Sequence, residues 1–178
     1  MKTARIILSG RMRTNEVIPI DPIINAFEDP ANDQVEVIIA GQGVYEADSC
    51  LALVNLVEEM HRKTGKPVVS NLLSSVGLTD FFIWLKCGIN GRTIRATARI
   101  KVRLPDWSRF SSVDCPQEGI SESERCSDLR DILESINEYV PLAEYEGKDM
   151  TILNLDEFGL LQESYLHLME KKNYGVAL

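Results

Sequence analysis

Histidine is nearly missing from this chain: two occur in 178 residues, His61 and His167. A serine nucleophile usually needs a histidine to take its proton. His61 lies near the end of an expected helix, where the dipole favours a cation. His167 sits between Leu166 and Leu168 inside another. Neither follows a strand end or a Gly-rich turn, so both read as ordinary helical histidines and a Ser–His–Asp enzyme is not expected. Paired cysteines are missing too. Cys50, Cys87, Cys115 and Cys126 form no C-x-x-C motif, which leaves zinc and thioredoxin chemistry without support. Cys50 and Cys87 fall in apolar helical stretches and read as buried free thiols of a reduced, cytoplasmic chain. No apolar run reaches the ~18–20 residues of a membrane span, and the opening apolar stretch is too short for a signal peptide. The Gly-Lys-Ser/Thr of a P-loop is absent, as is the third glycine of a dinucleotide fingerprint. No cofactor and no metal is expected.

What is present is an ordinary globular composition, 44% apolar and 26% charged. The length fits one domain, residues 1–178, large enough to bury about 70% of its unfolded surface without disulfides or metal. The net charge of −8 comes from 27 acidic and 19 basic residues. Such a surface repels phosphate backbones, so neither nucleic acid nor membrane is an expected partner. One basic cluster stands out: Arg92, Arg95, Arg99, Lys101 and Arg103. Arg99, Lys101 and Arg103 alternate with Ile100, Val102 and Leu104, which puts the cations on one strand face. A solvated face is the commoner reading, and a subunit contact with acidic side chains the sharper one.

Apolar periodicity sets out the elements. Residues 5–10 read as a strand closed by Gly10. Asp21-Pro22 opens a short helix with Ile23, Ile24 and Phe27 on one face. Residues 35–40 form a strand apolar almost throughout, which suits cover on both faces. A helix over 47–64 carries Leu51, Val54, Val57 and His61 at helical spacing and stops at Gly65. A third strand follows over 67–71. The helix from Thr79 to Gly88 is apolar nearly all round, with Phe81, Phe82 and Trp84, and is expected to be buried by the core plus a partner subunit. Strands over 91–95 and 99–104, a helix over 128–139 (Leu129, Ile132, Leu133 and Ile136 in register), a strand over 150–153 and a helix over 156–173 complete the pattern. Alternating strands and helices predict an α/β fold, with a mainly parallel sheet and right-handed β-α-β crossovers.

Gly41-Gln42-Gly43 follows a strand and precedes a helix, a place where backbone N–H groups can hold an anion; a tight turn is the commoner explanation. The order of these features resembles the proteolytic subunit family of the Clp protease, of ClpP/crotonase fold. The first strand, Arg5-Ile6-Ile7-Leu8-Ser9-Gly10, is similar to the family's first core strand, and Gly41-Gln42-Gly43-Val44 to its Ser-Pro-Gly-Gly turn. Residues 69–88 align without a gap to the strand and helix that carry the nucleophile. Ala98-Arg99-Ile100-Lys101-Val102-Arg103-Leu104-Pro105 looks like the strand that carries the histidine. Asn173-Tyr174-Gly175-Val176 resembles the family's close. The match is weak over 106–119, where the family has its handle, and the family's N-terminal axial loop has no counterpart.

The resemblance implies altered site residues. Thr79 falls on the nucleophilic serine, Asp80 on the adjacent oxyanion-hole residue and Arg103 on the histidine. Gly43 matches the first glycine of the oxyanion turn, and Val44 replaces the second. The acidic position falls on Glu163 or Asp156. A threonine hydroxyl still needs a base, and arginine stays protonated. Lys101 is displaced from Arg103 by about 6.5–7 Å along a strand, and Lys86 from Thr79 by roughly 10 Å along a helix. Asp80 would repel a developing oxyanion. Ser75-Val76-Gly77 mimics the family's Ser-Met-Gly in a shifted register that lengthens the helix by about one turn.

The leading expectation is a catalytically inactive Clp-protease-like subunit with a structural or regulatory role. It implies a ring-forming homo-oligomer of about six or seven subunits, or a ring mixed with active Clp subunits. One alternative is a peptidase with an unconventional Thr79 or Ser75 nucleophile. Another is a crotonase-type acyl-CoA binding protein, which rests on fold analogy.

Overall fold

A computed structural model of the chain describes residues 2–9, 20–40, 47–102, 122–142, 151–153, 155 and 159–160. Three consecutive β-α-β units organise them. Strand β1 (Thr3–Leu8) leads through helix α1 (Ile20–Glu28) to β2 (Gln34–Ile39). Helix α2 (Ala47–Thr64) leads on to β3 (Val68–Leu72), and α3 (Leu78–Cys87) to β4 (Gly91–Ile94). The four strands pair in parallel in the order β1-β2-β3-β4. Parallel neighbours require a crossover, and the described part of each one here holds one helix. The α/β class with a parallel sheet expected from the sequence is what forms. Beyond it, β5 (Lys101–Val102) pairs antiparallel with β6 (Thr151–Ile152), and α4 (Glu122–Asn137) packs against α2 and α3.

Register explains the core. Leu8, Ile39, Leu72 and Ile94 lie side by side across the sheet, as do Ile6, Val37, Ser70 and Arg92. These rows face the helices, and Ile6, Leu8, Val37, Ile39, Ser70, Leu72 and Ile94 are buried. Arg5, Glu36 and Val69 form a row on the opposite face, where Arg5 Nε meets Glu36 at 3.1 Å. Ile7 on that face is 60% exposed. Expected cover on both faces is therefore not what β2 has. Its polar residues Gln34 and Glu36 alternate with buried Val35 and Val37, the pattern of a one-sided strand.

The helices end on identifiable chemistry. The N–H of Gly65 donates to the His61 carbonyl at 2.8 Å, and Gly65 takes φ 69°, the left-handed exit that glycine adopts without a Cβ penalty. His61 Nδ1 donates to the Lys66 carbonyl at 2.8 Å. Helix α2 buries Cys50, Leu53, Val54, Val57 and Met60. Its core stripe is thus rotated from the expected one: Leu51 and His61 sit at its margins, half-buried. Helix α4 keeps the expected face, with Ile132, Leu133 and Ile136 buried and Leu129 packed beside them.

Helix α3 corrects a second expectation. Residues 80–85 and Cys87 are all buried within the chain. α2 and α4 cover it on one side and β2 and β3 on another. Its all-round apolar surface is satisfied by its own fold, so α3 offers no face as the expected subunit contact. Trp84 stacks on Phe81 with centroids 5.9 Å apart, and its indole N–H donates to the Thr93 carbonyl at 2.9 Å.

Candidate functional site

The candidate site is the junction between the carboxyl end of β3 and the start of α3. Ligands of parallel α/β sheets gather at this edge. Ser74, Ser75, Val76 and Gly77 make the turn, and Gly77 caps α3 without a side-chain hydrogen bond. Val76 forms a parallel bridge with Ile100. The Val76 N–H donates to the Arg99 carbonyl at 3.0 Å, and the Lys101 N–H to the Val76 carbonyl at 2.9 Å. Ser75 Oγ accepts the Arg99 N–H at 3.1 Å. Residues 99–102 therefore run directly beside the turn that precedes Thr79.

Thr79 is half-buried in the first turn of α3, and its hydroxyl makes no hydrogen bond with any described residue. The next residue, Asp80, is 1% exposed. A carboxylate in a first helical turn is favoured by the positive end of the helix dipole. Its charge reaches Cys50 on α2, where burial first and Asp80 second push the thiol far above its ordinary range. Cys87 is buried too, and its thiol is pushed up to about 12. Both cysteines are free, as expected. Ser74 Oγ is buried in the same turn with no hydrogen-bond partner among the described residues.

No base reaches Thr79 from the expected candidates that are described. Lys101 is exposed, and Lys86 lies in the last turn of α3. His61 ends α2 at the opposite edge of the sheet, a length of β3 away, or about 16 Å. Gly43, Val44, Arg103, Asp156, Glu163 and His167 lie outside the described residues, as does the handle region 106–119. Of the expected helix over 156–173 only residues 159–160 are described, and they correct it: Gly159 takes φ 64° in a turn, a left-handed conformation that a helix does not contain. Among the described residues no three His, Cys, Asp or Glu side chains come together as a metal site. No helix among them is long and apolar enough to cross a membrane.

The basic cluster divides by role. Arg92 Nε donates to the Leu85 carbonyl at 2.8 Å, and its guanidinium lies 5.7 Å from the Tyr139 ring centroid. Burial lowers its pKa, and the capping of α3 holds it in place. Ser70 Oγ donates to the Trp84 carbonyl at 2.6 Å from the same side. Arg99 Nη1 donates to the carbonyls of Ala96 and Ala98 at 2.8 and 2.7 Å. Arg95, Arg99 and Lys101 are exposed while Ile100 and Val102 are buried, so the expected alternation holds over 99–102. Sequence reasoning missed the capping roles of Ser70 and Arg92 and the tie between Ser75 and Arg99. Twenty-four positions separate the last pair, and no local pattern links them.

Fold and site together define an α/β protein whose four-stranded parallel sheet delivers a serine-rich turn into a buried helix. No protein-family model matches the chain, and neither does any curated protein.

Proposed function

We propose that this chain is a catalytically inactive member of the ClpP/crotonase fold, similar to the Clp protease subunit and acting as a structural or regulatory part of a ring-shaped oligomer. The observation that carries the reading is the bridge between Val76 and Ile100. It sets residues 100–102 beside the turn that precedes Thr79, which supports the arrangement that the resemblance implies for nucleophile and base. The chemistry in that neighbourhood is wrong for hydrolysis. Thr79 has no hydrogen-bonded base among the described residues, and the oxyanion-hole position that the resemblance implies is held by an acidic residue, Asp80, which supplies no added donor. The alternative nucleophile Ser75 already accepts the Arg99 N–H and helps hold the two segments together.

The test is hydrolysis of a broad fluorogenic peptide library by the wild-type chain and by Thr79→Ala. No turnover by either is expected. Turnover that disappears in Thr79→Ala refutes the proposal and makes the chain a threonine-dependent peptidase.

A further inference from the structure

We propose that copies of this chain meet head to tail through unlike charges. A basic strip of Arg95, Arg99 and Lys101 on one copy docks on the acidic end of α4, marked by Asp131 and Glu134 in the helix and Glu138 just past it, on the next; Arg130 is an exposed cation beside them and leaves the patch net acidic. All six docking side chains are exposed. None forms a salt bridge with a described residue of its own chain; the ion pairs among the described residues include Lys2–Asp29, Arg5–Glu36, Arg62–Glu59 and Lys63–Glu28. The strip is pre-organised. The Arg95 N–H is held by the Leu72 carbonyl, and the Lys101 N–H by that of Val76. Two carbonyl bonds fix the Arg99 guanidinium without neutralising it.

The acidic patch is complementary to the strip in charge. Asp131 and Glu134 follow helical spacing on the side away from buried Ile132, Leu133 and Ile136, and lie about 4.5 Å apart along the axis. Arg99 and Lys101 lie about 6.5–7 Å apart on one strand face. The contact joins two different patches, so it is heterologous and propagates until a ring closes. A nucleic acid is the poorer occupant, because a chain of net charge −8 repels it at every other approach. The choice of a second copy as occupant rests on the self-assembly reading above.

Salt separates this contact from non-specific association. Two molecules of net charge −8 repel, so screening promotes non-specific contact, whereas screening weakens docking between unlike patches. Sedimentation velocity of the full chain at low salt and at about 0.5 M salt reads the sign directly. Assembly is expected at low salt and loss of assembly at high salt. The pairs Arg95→Glu/Lys101→Glu and Asp131→Lys/Glu134→Lys are each expected to weaken association by about tenfold or more. Mixing the two variants is expected to restore it. Melting curves establish that each variant is folded, and Arg95→Gln/Lys101→Gln replaces the first pair if it is not. An assembly indifferent to salt and to both reversals overturns the contact and leaves the self-assembly reading standing. A monomer at both salt concentrations overturns the two together.

Discussion

Replacing Gly88 with alanine tests how the end of α3 is built. The backbone there has φ −78° and ψ 52°, so it imposes no special conformational demand. The cost is steric. A Cβ on residue 88 would lie 2.4 Å from Arg92 Cγ, 2.5 Å from Ser70 Oγ and 3.0 Å from the Gly91 carbonyl oxygen. Neither side chain can withdraw without loss. Arg92 is held by its bond to the Leu85 carbonyl and its stacking on Tyr139. Ser70 would have to give up its buried bond to the Trp84 carbonyl. Overpacking costs about 1–3 kcal/mol, and a lost hydrogen bond about 0.5–1.5 kcal/mol more. A destabilisation of about 2–4 kcal/mol is therefore expected, or a fall in Tm of roughly 4–16 °C for a domain of this size. Urea denaturation at an unchanged m-value gives the magnitude. The same substitution made on Ser70→Ala is expected to cost about 1 kcal/mol less, because one clashing atom has gone. A change within about 0.5 kcal/mol of wild type in the Ser70 background and in the native one alike refutes the reasoning.

Further outcomes follow from the same geometry. Arg92→Ala removes both the cap on Leu85 and the Tyr139 contact, and a loss of about 1–2 kcal/mol in chemical denaturation is expected. Gly65→Ala places a Cβ at φ 69° with no neighbour within 4 Å, so its cost of about 1 kcal/mol is conformational alone; an unchanged melting temperature would contradict the left-handed exit of α2. Cys50 and Cys87 are expected to resist iodoacetamide in the native chain at neutral pH and to react once urea unfolds it, read by peptide mapping. Burial raises both thiols, so the unfolded chain ionises first. Their contribution is full below the ordinary thiol value of 9.0 and is lost as pH rises from there towards about 12, the Cys87 value. A denaturation midpoint that stays flat across that range in wild type, compared with Cys50→Ala/Cys87→Ala, would contradict it.

Much of the local structure was determined by the sequence alone. Helix α2 takes the range 47–64 that its flanking signals predict, and Gly65 ends it because only glycine takes a left-handed exit without penalty. The strands around Ile6, Val37 and Ser70 and the register of α4 were also legible, since propensity and apolar period are properties of short windows. So was the placement of Thr79 and Asp80 in one helical turn after a strand. The tertiary structure alone decided which surfaces are covered. Apolar residues of α2 at positions 50, 51, 53, 54, 57 and 60 support two stripes, and packing against α1, α3 and α4 selects the one through Leu53 and Met60. The composition of α3 required burial but not by whom, and the answer is its own chain. Arg92 and Arg99 read alike as strand cations. One is drawn inward to cap α3, while the other stays exposed beside Ser75. Those roles depend on carbonyls and hydroxyls brought close only by the crossovers, and a linear pattern carries no record of contacts made across them.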